Sequence, residues 1–486
     1  MKITNSITGE KEEFISIEKN KIKMYACGIT VYDLSHIGHA RQAIVYAMMA
    51  DYFRYKGYNV TYVRNYTDVD DKIINKSNEI GENALEFSKK QIEETELDMK
   101  NLHITDATIK PKASEYIQKI IEFIEGLIKS GYAYSTEEGN VYFSVRKFKE
   151  YGKLSHRNIH DLISGIRIEI DKDKKEPCDF ALWKKAKENE IFWKSPWGNG
   201  RPGWHIECSA MALNTLGETI DIHGGGKDLL FPHHENEIAQ SEALTGKKFC
   251  NYWTHCGLIK INGEKMSKSL GNSLTIREVL NEYNYEIIKY VMLSKHYTSD
   301  IDISDEDFKI AESHMYYFYK TINKMENFVK NNDIPDCKVD IVEDEIINSF
   351  VDKFNTAMDD DFNTVLAISN LHILFKHLNN IMDCYDKNKL NTVVILLKKI
   401  LDDLKNVYSI LGLFTQESNE FINEIKSKYM NKWQIDLRYI GEKITERLNA
   451  KSSKDYDKAD QIRNELEEKG IILKDMSDGT TWDIKI

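Results

Sequence analysis

Proline is scarce, six in 486 residues, and no Pro- or Ser-rich linker or low-complexity tail interrupts the chain. That scarcity, with heavy use of Lys, Glu, Ile and Asn, predicts a helix-rich architecture. Long apolar runs are also missing. None reaches the roughly 18 residues of a membrane span, and Met1 to Asn20 is polar and charged. A transmembrane segment and a signal peptide are therefore not expected, and the reading is a cytoplasmic protein with no membrane partner. Cysteine is sparse, seven residues widely scattered. An odd, dispersed set in a chain this long weighs against a disulfide framework and leaves thiols as candidate metal ligands. Positive charge is the minority, 66 Lys and Arg against 78 Asp and Glu, for a net −12. A surface that grips nucleic acid indiscriminately is not expected, so a nucleic-acid partner would have to meet local basic patches. The length suggests roughly three to four structural units.

What is present is organised around Met24 to Arg41, MYACGITVYDLSHIGHAR. A buried apolar lead-in (Met24 to Ala26) precedes the thiol of Cys27 and the tetrapeptide His36-Ile37-Gly38-His39. From Ser35 onward Ala40, Ala43, Ala47 and Ala50, with Ile44 and Met48, recur at helical spacing, so a helix is expected to end at Gly57. A second strand follows at Asn59 to Asn65. Strand, loop, helix and strand form a Rossmann-type unit, with the loop facing a helix N-terminus where phosphate is favoured. Two histidines there can donate to a developing pentavalent phosphate. On its own the pattern is also satisfied by an ordinary Rossmann turn.

Tyr66-Thr67-Asp68-Val69-Asp70-Asp71-Lys72 is a polar strand exit at the same sheet edge. Helical periodicity covers Asn75 to Leu102 and Ser114 to Ser130, and Tyr132 to Ser144 alternates like a hairpin. From there to about Gly200 the pattern is irregular, and Lys110 to Gly200 reads as an insertion. The second half opens at Gly203-Trp204-His205-Ile206-Glu207-Cys208, then a strand at Thr219 to His223 and the run Gly224-Gly225-Gly226, which allows close backbone approach to a ligand. In Phe231-Pro232-His233-His234-Glu235-Asn236-Glu237, His233 and Glu237 stand at i, i+4 on one helical face. Such a pair is ordinarily solvated. Cys27 and Cys208, both placed by the pattern in strand-end loops of one α/β unit, make a Cys, Cys, His, Glu zinc set conceivable. Asn262-Gly263 signals a hairpin leading into Glu264-Lys265-Met266-Ser267-Lys268-Ser269, a cationic clamp ahead of the capping box Thr275-Ile276-Arg277-Glu278. Ser304 to Leu413 reads as long amphipathic helices, Phe354 to Leu378 among them, forming a bundle. Lys426 to Ile486 reads as two helices and a hairpin turning at Asp478-Gly479.

These blocks resemble the cysteinyl-tRNA synthetases, a family of class I aminoacyl-tRNA synthetases, along essentially the whole chain. The HIGH signature stands at His36 to His39 and KMSKS at Lys265 to Ser269. CGITVYD (Cys27 to Asp33), SPWGNGRPGWHIECSAM (Ser195 to Met211), DIHGGG (Asp221 to Gly226), FPHHENE (Phe231 to Glu237), AMDDDFNT (Ala357 to Thr364) and DGTTW (Asp478 to Trp482) match the cysteine enzymes specifically. The resemblance implies an α/β class I catalytic core with an insertion, an all-α bundle and a small mixed C-terminal domain. Its expected divisions are residues 1–110 and 201–255 for the two halves of the core, 111–200 for the insertion, 256–303 for the KMSKS and stem-contact region, 304–417 for the bundle and 418–486 for anticodon binding.

The resemblance further implies that ATP activates L-cysteine to an adenylate, which is passed to tRNA(Cys). Cys27, Cys208, His233 and Glu237 would hold one Zn2+ that selects the substrate thiol, and Mg2+ would accompany ATP. His36, His39, Lys265 and Lys268 take catalytic roles, Thr30 and Asp228 contact ATP, and Thr67, Trp204 and His223 line the amino-acid pocket. His234 is left as structural support. A monomer is the expectation. The chain departs from the family pattern at Ala186 to Ile191, which lacks the usual Pro- and Gly-containing turn, and at Ala450-Lys451, where Ala-Arg is common. Two rivals remain at this stage. The cysteine ligase of mycothiol synthesis shares the core but lacks a full tail, present here as Lys426 to Trp482. A catalytically dead RNA-binding homologue would have no need of the HIGH, KMSKS and zinc positions together.

Overall fold

The chain opens on a short hairpin, β1 (Lys2–Asn5) against β2 (Glu10–Glu13). Strand β3 (Lys21–Thr30) follows, alternating over its first residues and then buried without a break from Met24 to Cys27. That is the signature of a strand covered on both faces. Helix α1 (Ile37–Tyr55) crosses over to β4 (Asn59–Thr67), and its buried residues surround most of its circumference. The computed structural model describes residues 1–158, 173–188, 190–261, 263–265, 273–332, 344–476 and 479–486. Two compact units divide the chain: Met1–Ser304 with Val351–Asn370 and Ile410–Gly412, and Asp305–Phe350 with Leu371–Ser409 and Leu413–Ile486.

In the first unit the helical stretch expected from Asn75 to Leu102 is two helices, α2 (Asp71–Ile80) and α3 (Ala84–Asn101). Gly81 ends the first in the left-handed conformation at φ 72°, and Asn83 caps the second by accepting from the N–H groups of Leu85 and Glu86. After α4 (Ile117–Lys129) the described residues of the expected insertion hold regular strands. Strands β5 (Ala133–Ser135), β6 (Val141–Phe143), β7 (Phe180–Lys185), β8 (Trp193–Ser195) and β9 (Gly198–Pro202) form one antiparallel sheet in the order β5-β6-β7-β9-β8. Strands β5 and β6 are the hairpin expected over Tyr132 to Ser144, whereas β8, with three residues, is too short to carry a legible period of two. The sheet also runs past the expected limit at Gly200, because Trp183 pairs with Pro202.

Helix α5 (Trp204–Leu216), strand β10 (Ile220–Gly226), helix α6 (Glu235–Thr245) and strand β11 (Cys250–Cys256) complete the central sheet. Its order is β11-β10-β3-β4, and every neighbouring pair is parallel. Strand β12 (Ile259–Ile261) pairs with β13 (Glu264–Lys265) antiparallel, as the Asn262-Gly263 signal predicts, although Asn262 itself lies outside the described residues. Helices α7 (Ile276–Glu282) and α8 (Tyr285–Leu293) precede β14 (Ile301–Ile303), which lies parallel to β12. The capping box at Thr275 and Glu278 is formed. Arg41, buried on α1, donates to the carbonyls of Gly257, Leu258, His296 and Ser299, tying that helix to the segments that lead into β12 and β14.

The second unit is helical. Helices α9 (Asp305–Asn331), α10 (Glu345–Asn348), α11 (Phe350–Asp359), α12 (Thr364–Cys384) and α13 (Leu390–Tyr408) follow in sequence, with α11 and the start of α12 belonging to the first unit. The single helix expected over Phe354 to Leu378 is therefore broken. Asp361 and Phe362 stand at φ 62° and 51°, and Asp361 bonds to Lys2, Thr4 and Tyr297. The tail holds three helices, α14 (Ser418–Trp433), α15 (Leu437–Ser452) and α16 (Tyr456–Glu468), followed by the hairpin β15 (Ile471–Met476) and β16 (Gly479–Ile484). Helix α14 packs on α9 through stacked Tyr319 and Phe421, with ring centroids 4.1 Å apart. Asp478 of the expected turn lies outside the described residues.

Candidate active site

Strand β3 leads through α1 to β4 on one side of the sheet, while β10 leads through α6 to β11 on the other. Order reverses between β3 and β10, so their carboxyl ends flank a crevice, the place where open α/β sheets bind ligands. A cavity of about 300 Å³ opens there. Cys27, Thr30, His36, His39, Thr67, Trp204, Cys208, Asp228 and His233 all line it. His223 and Glu237 are fully buried behind that lining. Lys265 closes β13, paired with Lys260 of β12, and Lys268 lies outside the described residues.

The thiols do not sit in strand-end loops, as the sequence pattern suggested. Cys27 is inside β3, where the ladder to β4 shifts register between Ala26 and Ile29, and Cys208 is on helix α5. Gly28 makes the shift feasible, since a Cβ there would stand 1.6 Å from the carbonyl oxygen of Asn65. The triple glycine also has a different use from the one expected. A Cβ on Gly224 would meet the Tyr46 ring, and one on Gly225 would meet His234, so these glycines admit side chains of the protein rather than a ligand. Only Gly226 reaches the cavity.

The four candidate ligands converge. Cys27 Sγ lies 3.3 Å from Glu237 Oε1, and His233 Nε2 lies 3.1 Å from the same oxygen. Donor atoms of Cys27, Cys208, His233 and Glu237 all fall within 4.8 Å of one another, and none of the four residues exceeds 2% exposure. The hydrogen bond from Cys27 holds the Cys208 thiol down at about 6, against the opposing effect of burial. Burial pushes Cys27 well up. Burial would lower His233, but the charge of Glu237 and the bond to Cys208 prevail and raise it to about 10. Burial would likewise raise Glu237, and the imidazoles of His223 and His233 instead hold it well below the carboxylate range. One thiol held as thiolate, a carboxylate and an imidazole, in a buried cluster, form the donor chemistry of a tetrahedral zinc site.

His36 and His39 cap each other at the start of α1. The His39 N–H donates to His36 Nδ1 (3.4 Å), and the His36 N–H donates to His39 Nδ1 (3.3 Å), with the rings stacked at 3.6 Å. Since each Nδ1 accepts, the neutral rings carry their protons on Nε2. Ile37 N–H donates to Leu274 and Ile276 N–H to Ser35, so this turn is laced to the segment that leads into α7. Thr30 and Thr67 are register partners on β3 and β4. Trp204 stacks on His233 with centroids 4.4 Å apart.

Several lining or supporting residues were not singled out from sequence. Lys72 Nζ stands 5.0 Å from the Tyr32 ring centroid, and both line the cavity. Gln42, three residues beyond His39 on the same helical face, donates to the Cys27 carbonyl at 2.5 Å. His205 Nδ1 lies 2.9 Å from His233 Nδ1, leaving His233 Nε2 toward the cluster. Its place three residues before Cys208 on one helix is the available signal.

Comparison with known proteins agrees with this geometry. Residues 13–313 match the family described as tRNA synthetases class I (C) catalytic domain, and residues 353–415 match the DALR domain. A cysteine–tRNA ligase of Thermodesulfovibrio yellowstonii is 48% identical, with 100% of both chains covered. The chain belongs to the cysteine–tRNA ligase family. It is thus a class I aminoacyl-tRNA synthetase and a ligase. The cysteine–tRNA ligase of Geobacter metallireducens is 46% identical, again over 100% of each chain. Among solved structures, Mycobacterium tuberculosis methionyl-tRNA synthetase with methionyl-adenylate aligns over 83% of this chain and 93% of its own, with a TM-score of 0.63 and 12% identity. An Agrobacterium radiobacter leucyl-tRNA synthetase ternary complex aligns over 84% and 87%, with a TM-score of 0.60 and 11% identity. At such identities the likeness is one of fold. Among the described residues no helix is long and apolar enough to cross a membrane.

Proposed function

We propose that the protein activates L-cysteine with ATP and transfers it to tRNA(Cys); its full-length relatives are named cysteine–tRNA ligases. The observation that carries this reading is the convergence of two thiols, an imidazole and a carboxylate on the same cavity that His36 and His39 face. A zinc ion held by Cys27, Cys208, His233 and Glu237 would supply affinity for a thiolate over a serine hydroxyl, whose pKa is far higher and whose oxygen is a harder ligand. A site that pairs with one polar group of its substrate rejects analogues lacking it by roughly 10⁴-fold or more.

The remaining roles belong to side chains of the chain itself. Trp204, stacked on His233, forms a wall beside the thiol-binding end of the cavity. Nε2–H of His36 and His39 donates toward the α-phosphate as the cysteine carboxylate attacks it, at a helix N-terminus that already favours anionic oxygen. Thr30, Thr67 and Asp228, on the same cavity wall, are assigned to substrate contact. Lys265 and Lys268 are assigned to the ATP phosphates on family resemblance. Residues 1–303 would then carry the chemistry, with 111–200 as its insertion and 256–303 as the KMSKS region, while 304–417 and 418–486 meet the tRNA.

Trp482 is half-buried, with Lys426 Nζ 4.4 Å over its ring and donating to its carbonyl, so that face is already covered. Lys451 is likewise engaged, by Asp475 at 2.7 Å. A more open groove of about 760 Å³ is lined by Trp433, Gln434, Tyr439, Lys469 and Lys485, an aromatic and cationic lining suited to a splayed base. ATP–pyrophosphate exchange that depends on cysteine, with zinc at about one per chain, tests the reading as a whole. Exchange driven equally by serine, or undiminished after the metal is removed, would refute it.

A further inference from the structure

Two overlapping donor sets occupy the cluster, sharing Cys27 and Glu237. The outer set adds Cys208 and His233, which line the cavity. The inner set adds His223 and His234, which do not. In the inner set Cys27 Sγ stands 3.5 Å from His223 Nε2 and 3.3 Å from Glu237 Oε1. His223 Nε2 is 3.4 Å from Glu237 Oε2, and His234 Nε2 is 3.9 Å from Glu237 Oε1. An ion with ligands at about 2.0–2.3 Å in tetrahedral array separates them by roughly 3.3–3.8 Å. Three of these spacings, 3.3, 3.4 and 3.5 Å, match the edges of such a tetrahedron, reached through both oxygens of Glu237, and the fourth, 3.9 Å, lies just beyond them.

Hydrogen bonding supports the same conclusion. His234 Nε2 is buried and makes no hydrogen bond, an unusual state for a polar atom in a protein interior. The other ring nitrogen of His234 is engaged by His255 Nε2 at 2.8 Å, and His255 Nδ1 in turn meets Ser6 Oγ at 2.7 Å. Outer partners of this kind orient a histidine whose remaining nitrogen binds a metal.

We propose that the cluster contains a second, inner seat for a divalent cation, formed by Cys27, His223, His234 and Glu237. It is an inference that rests on reading the outer four residues as the thiol-selecting site. Because two ligands are shared, one ion at a time is held. The outer seat offers two sulfurs and suits zinc, whereas the inner offers one sulfur and two imidazoles and suits cobalt or nickel comparatively better. Only Cys27 of the inner set borders the cavity, so an ion seated there does not meet an incoming thiol. The seat thus describes a metal-loaded protein that does not respond to cysteine.

Cobalt(II) titrated into the metal-free full-length protein tests this by its visible and near-ultraviolet spectrum. Wild type should show a tetrahedral band with two-thiolate charge transfer that changes when cysteine is added. Cys208→Ser should still take about one cobalt per chain, with roughly half the charge-transfer intensity, and no change on adding cysteine. Adding His234→Asn, or His223→Asn as a second variant for the same seat, should weaken that binding about tenfold or more. Zinc-edge X-ray absorption of Cys208→Ser, counting two imidazoles beside one sulfur rather than the single imidazole the outer set retains, reads the seat without a further substitution. Loss of tetrahedral cobalt in Cys208→Ser, or its indifference to both histidine changes, overturns the inner seat. A wild type whose cobalt spectrum ignores cysteine, with Cys208→Ser behaving as expected, overturns the outer reading and leaves the inner seat standing.

Discussion

His39 does two things at once, capping α1 through Nδ1 and lining the cavity, and the two can be separated by substitution. His39→Asn keeps an acceptor for the His36 N–H while displacing the outward donor. Adenylate formation should fall by about 10²-fold, the usual effect of one lost oxyanion donor, with the melting temperature little changed. His39→Ala should lose the donor and, in addition, about 1 kcal/mol of helix stability. Equal thermal stability of the two variants would contradict the capping role. At this scale the sequence was legible wherever chemistry repeats a residue type at fixed spacing, as in His36 and His39. It was not legible for Gln42 or His205, whose contribution is an orientation given to a neighbour. Nor could it tell that Trp482 is covered, because Lys426 approaches it from 56 residues away.

Among the elements, α8 carries an unusual burden in Lys289. The ammonium is buried, donates to the His103 carbonyl at 2.7 Å, and is pushed down to about 8 by burial against the opposing charges of Glu286 and Asp51. Its ordinary value is 10.5, so between about pH 8 and 10.5 the unfolded chain holds the proton more firmly than the folded one. Unfolding free energy consequently rises with pH in that window. Measured against Lys289→Met by urea denaturation, wild type should gain on the order of 1–3 kcal/mol from pH 8 to 10.5. A constant difference across the window would show that the ammonium is better solvated than its burial implies.

Elements with a long pattern were readable: α1, α4 and strand β4 fall close to where the pattern set them. In the insertion the hairpin of β5 and β6 was readable, while the three residues of β8 were too few to alternate. The split of α11 from α12 was hidden because tertiary bonds to Asp361, rather than a local Gly or Pro, hold the break.

Across the whole molecule, the net −12 charge removes any general attraction to RNA that could mask the loss of a single contact. Trp433→Ala should therefore reduce tRNA charging by about 1–3 kcal/mol in kcat/KM, the range of one base–aromatic stack. Cysteine-dependent pyrophosphate exchange should be unchanged. Deleting the tail from Ser418 is a coarser test, because Phe421, Lys428 and Asp483 pack against α9 and would leave Tyr319, Glu312 and Tyr316 bare. Equal charging by wild type and Trp433→Ala would remove the groove from the tRNA path.

The bonds from Asp361 to Lys2, Thr4 and Tyr297 also bear on how the protein is born. The first strand waits for a partner that leaves the ribosome some 360 residues later, so the catalytic unit cannot close its seam while only its own early residues are exposed. At about 5–20 residues per second, the interval between synthesis of Ser304 and of Asp361 is several seconds, long enough for the incomplete unit to be sampled by chaperones or proteases. A fragment ending at Ser304 should be cleaved quickly in limited proteolysis, and one extended through Phe414 should resist. Equal resistance would mean that the seam is ornament to a unit that matures without it.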